Sequence, residues 1–357
     1  MIEQLKKTFL EVIHIDEIYP HEKEINRYVM QFFKNLGIRV IEDAFRNVIA
    51  YLPGVGEPMM LNTHLDIPES LNGNLGYSIK GNVIRSKGKA ILGADPKSGL
   101  AVLLELARHI VDHTLPTRPI EFVFTRGEEA GFYGAINLDY SKIHSRYGLV
   151  LDEDGPCTNL VIQAPAFYRA NIRILGSTVH ARDWREGINA LDATVNVLSR
   201  LPHGEIQKGV SFNIGFIRGG TARNSTIGEM YLEAEMRSFS TRKLLHCVDR
   251  LRTIFRSLET SHEVTVEIDD LVESEALHIK QSNTFLKTLL ATYKNRGLTP
   301  NLYATFGGSD ANIFNTRGMQ TLAIGSGYYN AHQYTEYVNL KEMEDLVFFL
   351  VSLIQTK

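Results

Sequence analysis

The stretch IEFVFTRGEE, residues 120–129, decides how this chain is read. A nearly continuous apolar run leads through one glycine straight into two adjacent acids. A strand without polar alternation belongs in a sheet covered on both faces, the usual setting of parallel strands. GLVLD (148–152) repeats the pattern, with an acid closing an apolar run. Working outward, helical spacing appears in Leu5, Phe9, Val12 and Ile13, then in Ile25, Tyr28, Val29, Phe32 and Phe33. Pro20 separates these two segments and Gly37 closes the second. The β-rich runs IRVIED, NVIAYLP and PMMLNTHLD follow, and a third helix is expected from about Ser98 to His113. Strands and helices in this alternation predict an α/β fold, a mostly parallel sheet flanked by helices.

The middle of the chain reads differently. FYRANIRILG (167–176) and VSFNIGFIRGG (210–220) are strands, and GEMYLEAEMRSF (228–239) alternates cleanly. Met230, Leu232, Ala234 and Met236 share one face of it, and Glu229, Tyr231, Glu233, Glu235 and Arg237 the other. Ile188–Leu201 carries Leu191, Val195 and Leu198 at helical spacing, and Thr241–Leu258 buries Leu244, Leu245, Val248, Leu251 and Phe255. With VTVEIDD (264–270) the order is βαββαβ, the split ferredoxin-like arrangement. From about Leu277 the first pattern returns, ending in a helix over Leu340–Ile354. The expected organisation is one α/β domain over 1–164 and 275–357, interrupted by an inserted α+β ferredoxin-like domain over 165–274.

At 357 residues the chain is long enough for two such cores. A net charge of −3 gives no polyanion signal, so nucleic acid is not an expected partner. Two cysteines are too few for a disulfide framework or a thiolate metal cage. The first residues are broken by charges every few positions, unlike a signal peptide, and no apolar run approaches the ~20 residues of a membrane span. A soluble, cytoplasmic protein without a membrane partner is expected.

Several titratable side chains fall just after the predicted strands, where open parallel sheets bind ligands. His64 and Asp66 end MMLNTHLD, and Asp95 precedes a helix. Glu128 and Glu129 follow IEFVFT, Asp152 ends GLVLD with Asp154 close behind, and His332 lies in GYYNAHQYTEY. Singly, each has an ordinary structural explanation as a cap, a solvated turn or a hydrogen-bonded histidine. Together they form a nitrogen-and-oxygen donor set suited to Zn²⁺, or to Mn²⁺ or Co²⁺ where carboxylates dominate. Two metal ions about 3.5–4 Å apart need a bridging carboxylate and terminal ligands on each. Adjacent Glu residues can point different ways, one to metal and one free as a base. His64-Leu65-Asp66 places an acid on the same face of an extended chain as the imidazole, able to fix its tautomer.

NTHLD, LGADPKSGLAVLLE, FTRGEEAGFYGA, LDEDGP, STVHARDWREGINAL, FIRGGTARNS, FGGSDANIF and YYNAHQYTEYV occur in this order over nearly the whole chain. In that order they resemble the di-metal aminopeptidase, aminoacylase and carboxypeptidase G family, most closely its peptidase T-like branch. The resemblance implies a di-zinc peptidase catalytic domain of the phosphorylase/hydrolase-like kind, with an inserted lid and dimerisation domain and a homodimer through it. It implies two divalent metal ions and hydrolysis of short peptides at the amino end. Residue by residue, His64 resembles a terminal ligand of one metal with Asp66 behind it, and Asp95 the bridging carboxylate. Glu128 resembles the general base, Glu129 and His332 ligands of the second metal, and Asp152 or Asp154 the remaining ligand of the first. His180 resembles a histidine that polarises the scissile carbonyl, and Asn224, Arg237, Gly308 and Ser309 resemble substrate contacts. Alternative readings are an N-acyl amino acid deacylase of the same family and a glutamyl-aminopeptidase or endoglucanase-like peptidase. A non-enzymatic, peptide-binding relative is a further one.

The chain departs from this branch in reading Asp95-Pro96-Lys97 where relatives have Asp-Asp-Lys, and in Arg182, Asp183 and Trp184 after His180. Asp95 and Pro96 also suit a helix N-cap followed by the first helical residue. Relatives hold the peptide after this Asp in the cis form, and proline is the residue that tolerates cis most readily. A cis Asp95–Pro96 bond is therefore expected.

Overall fold

The computed structural model describes residues 1–356, which fall into two compact units. The first comprises Met1–Gln163, His278–Thr305 and the chain from Ser309; the second comprises Ala164–Leu277 and Phe306–Gly308.

The first unit opens with α1 (Ile2–Ile13) and α2 (Lys23–Asn35). Leu5, Phe9, Val12 and Ile13 form the buried stripe of α1, and Ile25, Val29 and Phe33 that of α2. Strands β1 (Arg39–Glu42), β2 (Val48–Leu52) and β3 (Met59–His64) follow, then the hairpin of β4 (Tyr77–Lys80) and β5 (Val83–Ser86). Helix α3 (Ala94–Asp112) begins four residues before the sequence expectation, but Asp95 itself has non-helical φ/ψ of −84° and 114°. The Asp95–Pro96 bond is cis, as expected. Almost all of α3 to Ala107 is buried, so the helix is apolar around much of its circumference. It passes β7 so closely at Gly99 that a methyl group there would lie 2.5 Å from the Leu151 carbonyl oxygen and 2.8 Å from Thr63 Oγ1. Strand β6 (Ile120–Thr125), the single turn α4 (Tyr133–Ile136), β7 (Tyr147–Glu153) and β8 (Asn159–Ala164) complete this part.

The second unit runs β9 (Ala166–Leu175), α5 (Ala190–Leu198), β10 (Gly204–Gln207), β11 (Val210–Gly219), β12 (Glu229–Ser238), α6 (Thr241–Ser261) and β13 (Thr265–Ser274). Its sheet has the order β10-β11-β12-β9-β13, with every pair antiparallel. Apart from the short edge strand β10, this is the βαββαβ order with the first strand inside. The alternation of β12 is realised, since Met230, Leu232, Ala234 and Met236 are buried against Leu244, Val248, Leu251 and Phe255 of α6. Two expected core residues are turned outward: Val195 is 56% exposed and Leu245 45% exposed. Ala190, Ala193, Thr194 and Val197 make the fully buried side of α5, and Leu191 and Leu198 pack partly buried against the same core.

The chain returns to the first unit through β14 (Leu277–His278), α7 (Thr284–Asn295), β15 (Asn301–Ala304), α8 (Asp310–Thr316) and β16 (Gln320–Gly325). The short strands β17 (Tyr328–Tyr329) and β18 (Tyr337–Asn339) lead into α9 (Leu340–Ile354), at the boundaries expected from sequence. The main sheet has the order β1-β2-β6-β3-β7-β16-β8-β14, with β15 beside β8. Its centre, β6-β3-β7-β16, is parallel, while β1, β2 and β8 pair antiparallel. β3 and β6 are buried along their whole length, which is why they read as continuous apolar runs. A small sheet, β17-β18-β5-β4, holds the segment between β17 and β18. Among the described residues no helix is long and apolar enough to cross a membrane.

Candidate metal centre

The parallel strands deliver chemistry at their C-terminal ends. β3 ends on His64 and β7 carries Asp152 beside its end. β6 gives way to Arg126 and Gly127 before Glu128 and Glu129. Gly127 takes φ +62°, and a Cβ there would lie 2.5 Å from the Tyr19 ring, so this turn accepts only glycine. Asp95 stands at the start of α3, and His332 follows β17 with φ 62°.

These side chains converge. His64 Nε2 lies 3.0 Å from Asp95 Oδ1 and 3.3 Å from Asp152 Oδ1. His332 Nε2 lies 2.8 Å from Glu129 Oε1 and 3.4 Å from Asp95 Oδ2. The two oxygens of Asp95 thus face different imidazoles, the disposition a bridging carboxylate requires. Donor atoms of His64, Asp95 and Asp152, and likewise of Asp95, Glu129 and His332, lie within 4.8 Å of one another. Asp154, the alternative to Asp152, is in neither group. Behind them, Asp66 Oδ1 accepts from the Glu128 N–H at 3.0 Å and Oδ2 from the Glu129 N–H at 3.1 Å. Asp66 Oδ1 also lies 3.5 Å from His64 Nδ1, so the carboxylate that pins the paired-Glu turn stands beside the imidazole as well.

The electrostatics follow from burial. Asp66, Asp95, Glu128 and Asp152 are all buried, and burial raises the pKa of Glu128 well above the usual carboxylate value and that of Asp152 and Glu129 above it. Burial disfavours charge on His64 too, but Asp152, Asp66 and Asp95 outweigh it and raise its pKa. Asp95 and Glu129 push His332 up to about 10. Asp95 moves the other way: burial opposes ionisation, and the two histidines hold it below the ordinary range. The pocket therefore attracts positive charge at the two points where nitrogen and carboxylate donors meet. Such buried anions require cations or donors as partners. A divalent ion at each point fits the donor types, Zn²⁺, Mn²⁺ and Co²⁺ being compatible with N/O sets.

Sequence reasoning missed several supporting residues. Lys97 is buried, donates from Nζ to the Leu65 carbonyl at 3.0 Å, and is depressed to about 8 by burial. Asp310 is buried beside Thr125, whose hydroxyl donates to it, and burial pushes it up to about 7. Glu336 is fully buried and accepts from the N–H groups of Leu92, Gly93 and Asp95. An acid four residues past His332 was the only sequence signal for it.

The remaining predicted residues belong to other segments of the chain. In the second unit His180 precedes a short 3₁₀ turn, Ala181–Glu186, and its Nδ1 accepts from the Arg182 N–H at 3.1 Å. Asn224 is its neighbour, accepting from the Ala181 N–H at 2.8 Å, and His180 bridges to Ser225. Arg237 already has partners: Glu235 at 3.0 Å, the Phe306 carbonyl at 2.9 Å and the Phe167 ring at 4.8 Å. Gly308 belongs to the second unit, while buried Ser309 caps α8, accepting from the Ala311 N–H.

A sequence model of peptidase family M20/M25/M40 matches residues 60–356. The chain belongs to this family. Among solved M20-type structures, it resembles a tripeptidase from Staphylococcus aureus subsp. aureus Mu50 with a TM-score of 0.88 and 28% identity, covering 99% of this chain and 98% of that one. It resembles the aminopeptidase PepT from Bacillus cereus ATCC 10987 with a TM-score of 0.83 and 29% identity, over 99% and 98% of the two chains. The uncharacterized protein YqjE of Bacillus subtilis (strain 168) is 29% identical over 363 residues, 99% of this chain and 98% of its own. The M20 chain described here is accordingly a metallopeptidase, a hydrolase of peptide bonds.

Proposed function

We propose that this M20 peptidase is an aminopeptidase acting on short peptides with two divalent ions, Zn²⁺ in the first instance and Mn²⁺ or Co²⁺ as alternatives. The observation that carries the reading is Asp95 facing His64 with one oxygen and His332 with the other. His64, Asp95 and Asp152 would hold one ion, and Asp95, Glu129 and His332 the other. When bound, the pair supplies Lewis-acid polarisation of the scissile carbonyl and makes water more acidic. The names of the two similar structures, an aminopeptidase and a tripeptidase, support short peptides as substrates.

The protein's own groups divide the proton work. Glu128, buried and high in pKa, accepts a proton from the attacking water as its oxygen bonds to the carbonyl carbon. The same proton then passes to the amine nitrogen as the C–N bond breaks. Asp66 holds Glu128 and Glu129 through their N–H groups. His180 is the oxyanion donor in this reading. Its Nδ1 accepts a backbone N–H, which leaves the proton of the neutral ring on Nε2, free to donate. Asn224, Arg237, Gly308 and Ser309 are proposed substrate contacts, with Arg237 exchanging its Glu235 or Phe306 partner for a peptide carboxylate or carbonyl.

The reading extends to a homodimer through the second unit, supported by the outward side chains of Phe216, Ile217 and Leu271, each 44–48% exposed. It places the protein in the cytoplasm, where the free, buried Cys157 and Cys247 stay reduced. The decisive experiment is hydrolysis of a di- and tripeptide panel, with N-acylated controls, by zinc-, manganese- or cobalt-loaded protein. Free amino termini are expected to be required; activity confined to blocked peptides would make the protein a deacylase. Glu128→Gln should retain metal and lose at least about 10²–10⁴-fold in rate. Full activity in that variant would remove Glu128 from its role.

A further inference from the structure

Glu336 is fully buried although it lies in a polar loop, and its carboxylate is aimed at backbone alone. Oε2 accepts from the N–H groups of Leu92 at 2.6 Å and Gly93 at 2.8 Å, and Oε1 accepts from that of Asp95 at 3.1 Å. Its own backbone closes two further links: the Ser86 N–H donates to its carbonyl at 2.8 Å, and its N–H donates to Gln333 at 2.9 Å. One side chain therefore ties the turn that presents His332 to the turn that presents Asp95.

The His332 turn depends on such external support. Asn330 and His332 both sit in the left-handed region, at φ 57° and 62°, which is uncommon for non-glycine residues and gains from contacts that hold it. Arg85 adds a lateral brace, donating to the Thr335 carbonyl at 2.9 Å and lying 4.2 Å from the Tyr337 ring centre. Of these contacts only the Glu336 carboxylate reaches a proposed ligand's own backbone. Charge-assisted bonds from several N–H groups to one carboxylate are strong and directional.

We infer that Glu336 is a positioning residue that sets the spacing of Asp95 and His332, and with it the affinity of the metal position those two side chains share. The inference rests on the reading that Asp95, Glu129 and His332 hold a divalent ion. Glu336→Gln is a selective perturbation: the amide oxygen can keep the Leu92 and Gly93 bonds while its NH₂ opposes the Asp95 N–H.

The test is a Co²⁺ titration of metal-free wild type and E336Q, followed by visible absorption and by calorimetry, with far-UV circular dichroism of both apo chains. Wild type should take up two equivalents; fewer than two would fail the reading itself, before Glu336 is at issue. E336Q should keep the apo spectrum and bind one equivalent about 10–100-fold more weakly, the usual cost of removing a partner that orients a ligand. Glu121→Gln is the control. Glu121 is another buried carboxylate, accepting from the His144 and Ser145 N–H groups, and its loss should leave both equivalents unchanged. E336Q binding within about twofold of wild type, or E121Q weakening as much as E336Q, overturns the inference. Should E336Q not fold, Glu336→Asp, which keeps the charge and withdraws it by one methylene, is read the same way. Loss of fold in both overturns it too, because Glu336 would then be part of the framework rather than of the metal position.

Discussion

Replacing Gly99 by alanine tests whether the fit of α3 against the sheet sets the donor geometry. The added methyl would lie 2.5 Å from the Leu151 carbonyl oxygen, 2.8 Å from Thr63 Oγ1 and 3.1 Å from Leu151 Cβ. A carbon rests about 3.3 Å or more from a carbonyl oxygen, so helix and strand must separate by about 0.8 Å. Leu151 precedes Asp152, Thr63 precedes His64, and Asp95 lies four residues before Gly99 on the helix. The displacement therefore falls between the two sides of the donor set. Overpacking of this kind costs about 1–3 kcal/mol. Alanine returns up to about 1 kcal/mol through its better helix propensity. The net loss of about 0–3 kcal/mol lowers the melting temperature by several degrees at most. Activity should suffer more, because a misplacement of about 1 Å at a catalytic constellation can cost about 10²-fold. The assay is kcat/KM on a peptide substrate, metal affinity and Tm on the same preparation. A variant with wild-type kcat/KM and metal affinity would refute the idea that α3 sets the donor spacing.

Chelation should abolish hydrolysis and readdition of Zn²⁺, Mn²⁺ or Co²⁺ restore it, with uptake weakening as pH falls because the ligands bind metal only when deprotonated; elemental analysis with activity decides it. His180→Ala should lower kcat by about 10²–10³-fold with metal content unchanged, and unaltered kcat would rule out the oxyanion role. Phe255→Ala, at a fully buried position of α6, should destabilise the second unit by about 3–5 kcal/mol in denaturant titrations. Metal stoichiometry should remain that of wild type.

The sequence made the main sheet legible where burial is symmetrical. IEFVFT and PMMLNTHLD became strands covered on both faces, and the acids and histidine after them arrived at one end of the sheet. GEMYLEAEMRSF worked for the opposite reason, because one buried and one solvated face leave a period of two. The hairpin of β4 and β5 was invisible: each strand is only four residues long, too short for an alternation to stand out, and YSIK is mostly exposed. In α5 Leu191 and Leu198 pack against the core, but Val195 faces out while Ala193 and Thr194 fill the interior, a choice made by packing rather than by hydrophobicity. Lys97 and Glu336 were hidden more deeply. Charged residues are expected at surfaces, and only the tertiary fold supplies the carbonyl and N–H groups that let them be buried.

The insertion has a consequence for synthesis on the ribosome. The chain departs from the main sheet at Gln163 and comes back at His278, where the Ile279 N–H meets the Ile162 carbonyl at 2.8 Å. β16, which lies between β7 and β8 in the finished sheet, and His332 are both encoded after that return. A nascent chain that has emerged through residue 277 thus carries His64, Asp95, Glu128, Glu129 and Asp152, yet neither the neighbouring strand nor the second histidine. Its four-carboxylate, one-histidine set has no partner for one side of Asp95. On the proposed ligand set, proteolytic competence would wait until the polypeptide is long enough to close its own sheet, and the order of translation would act as a timer on the enzyme.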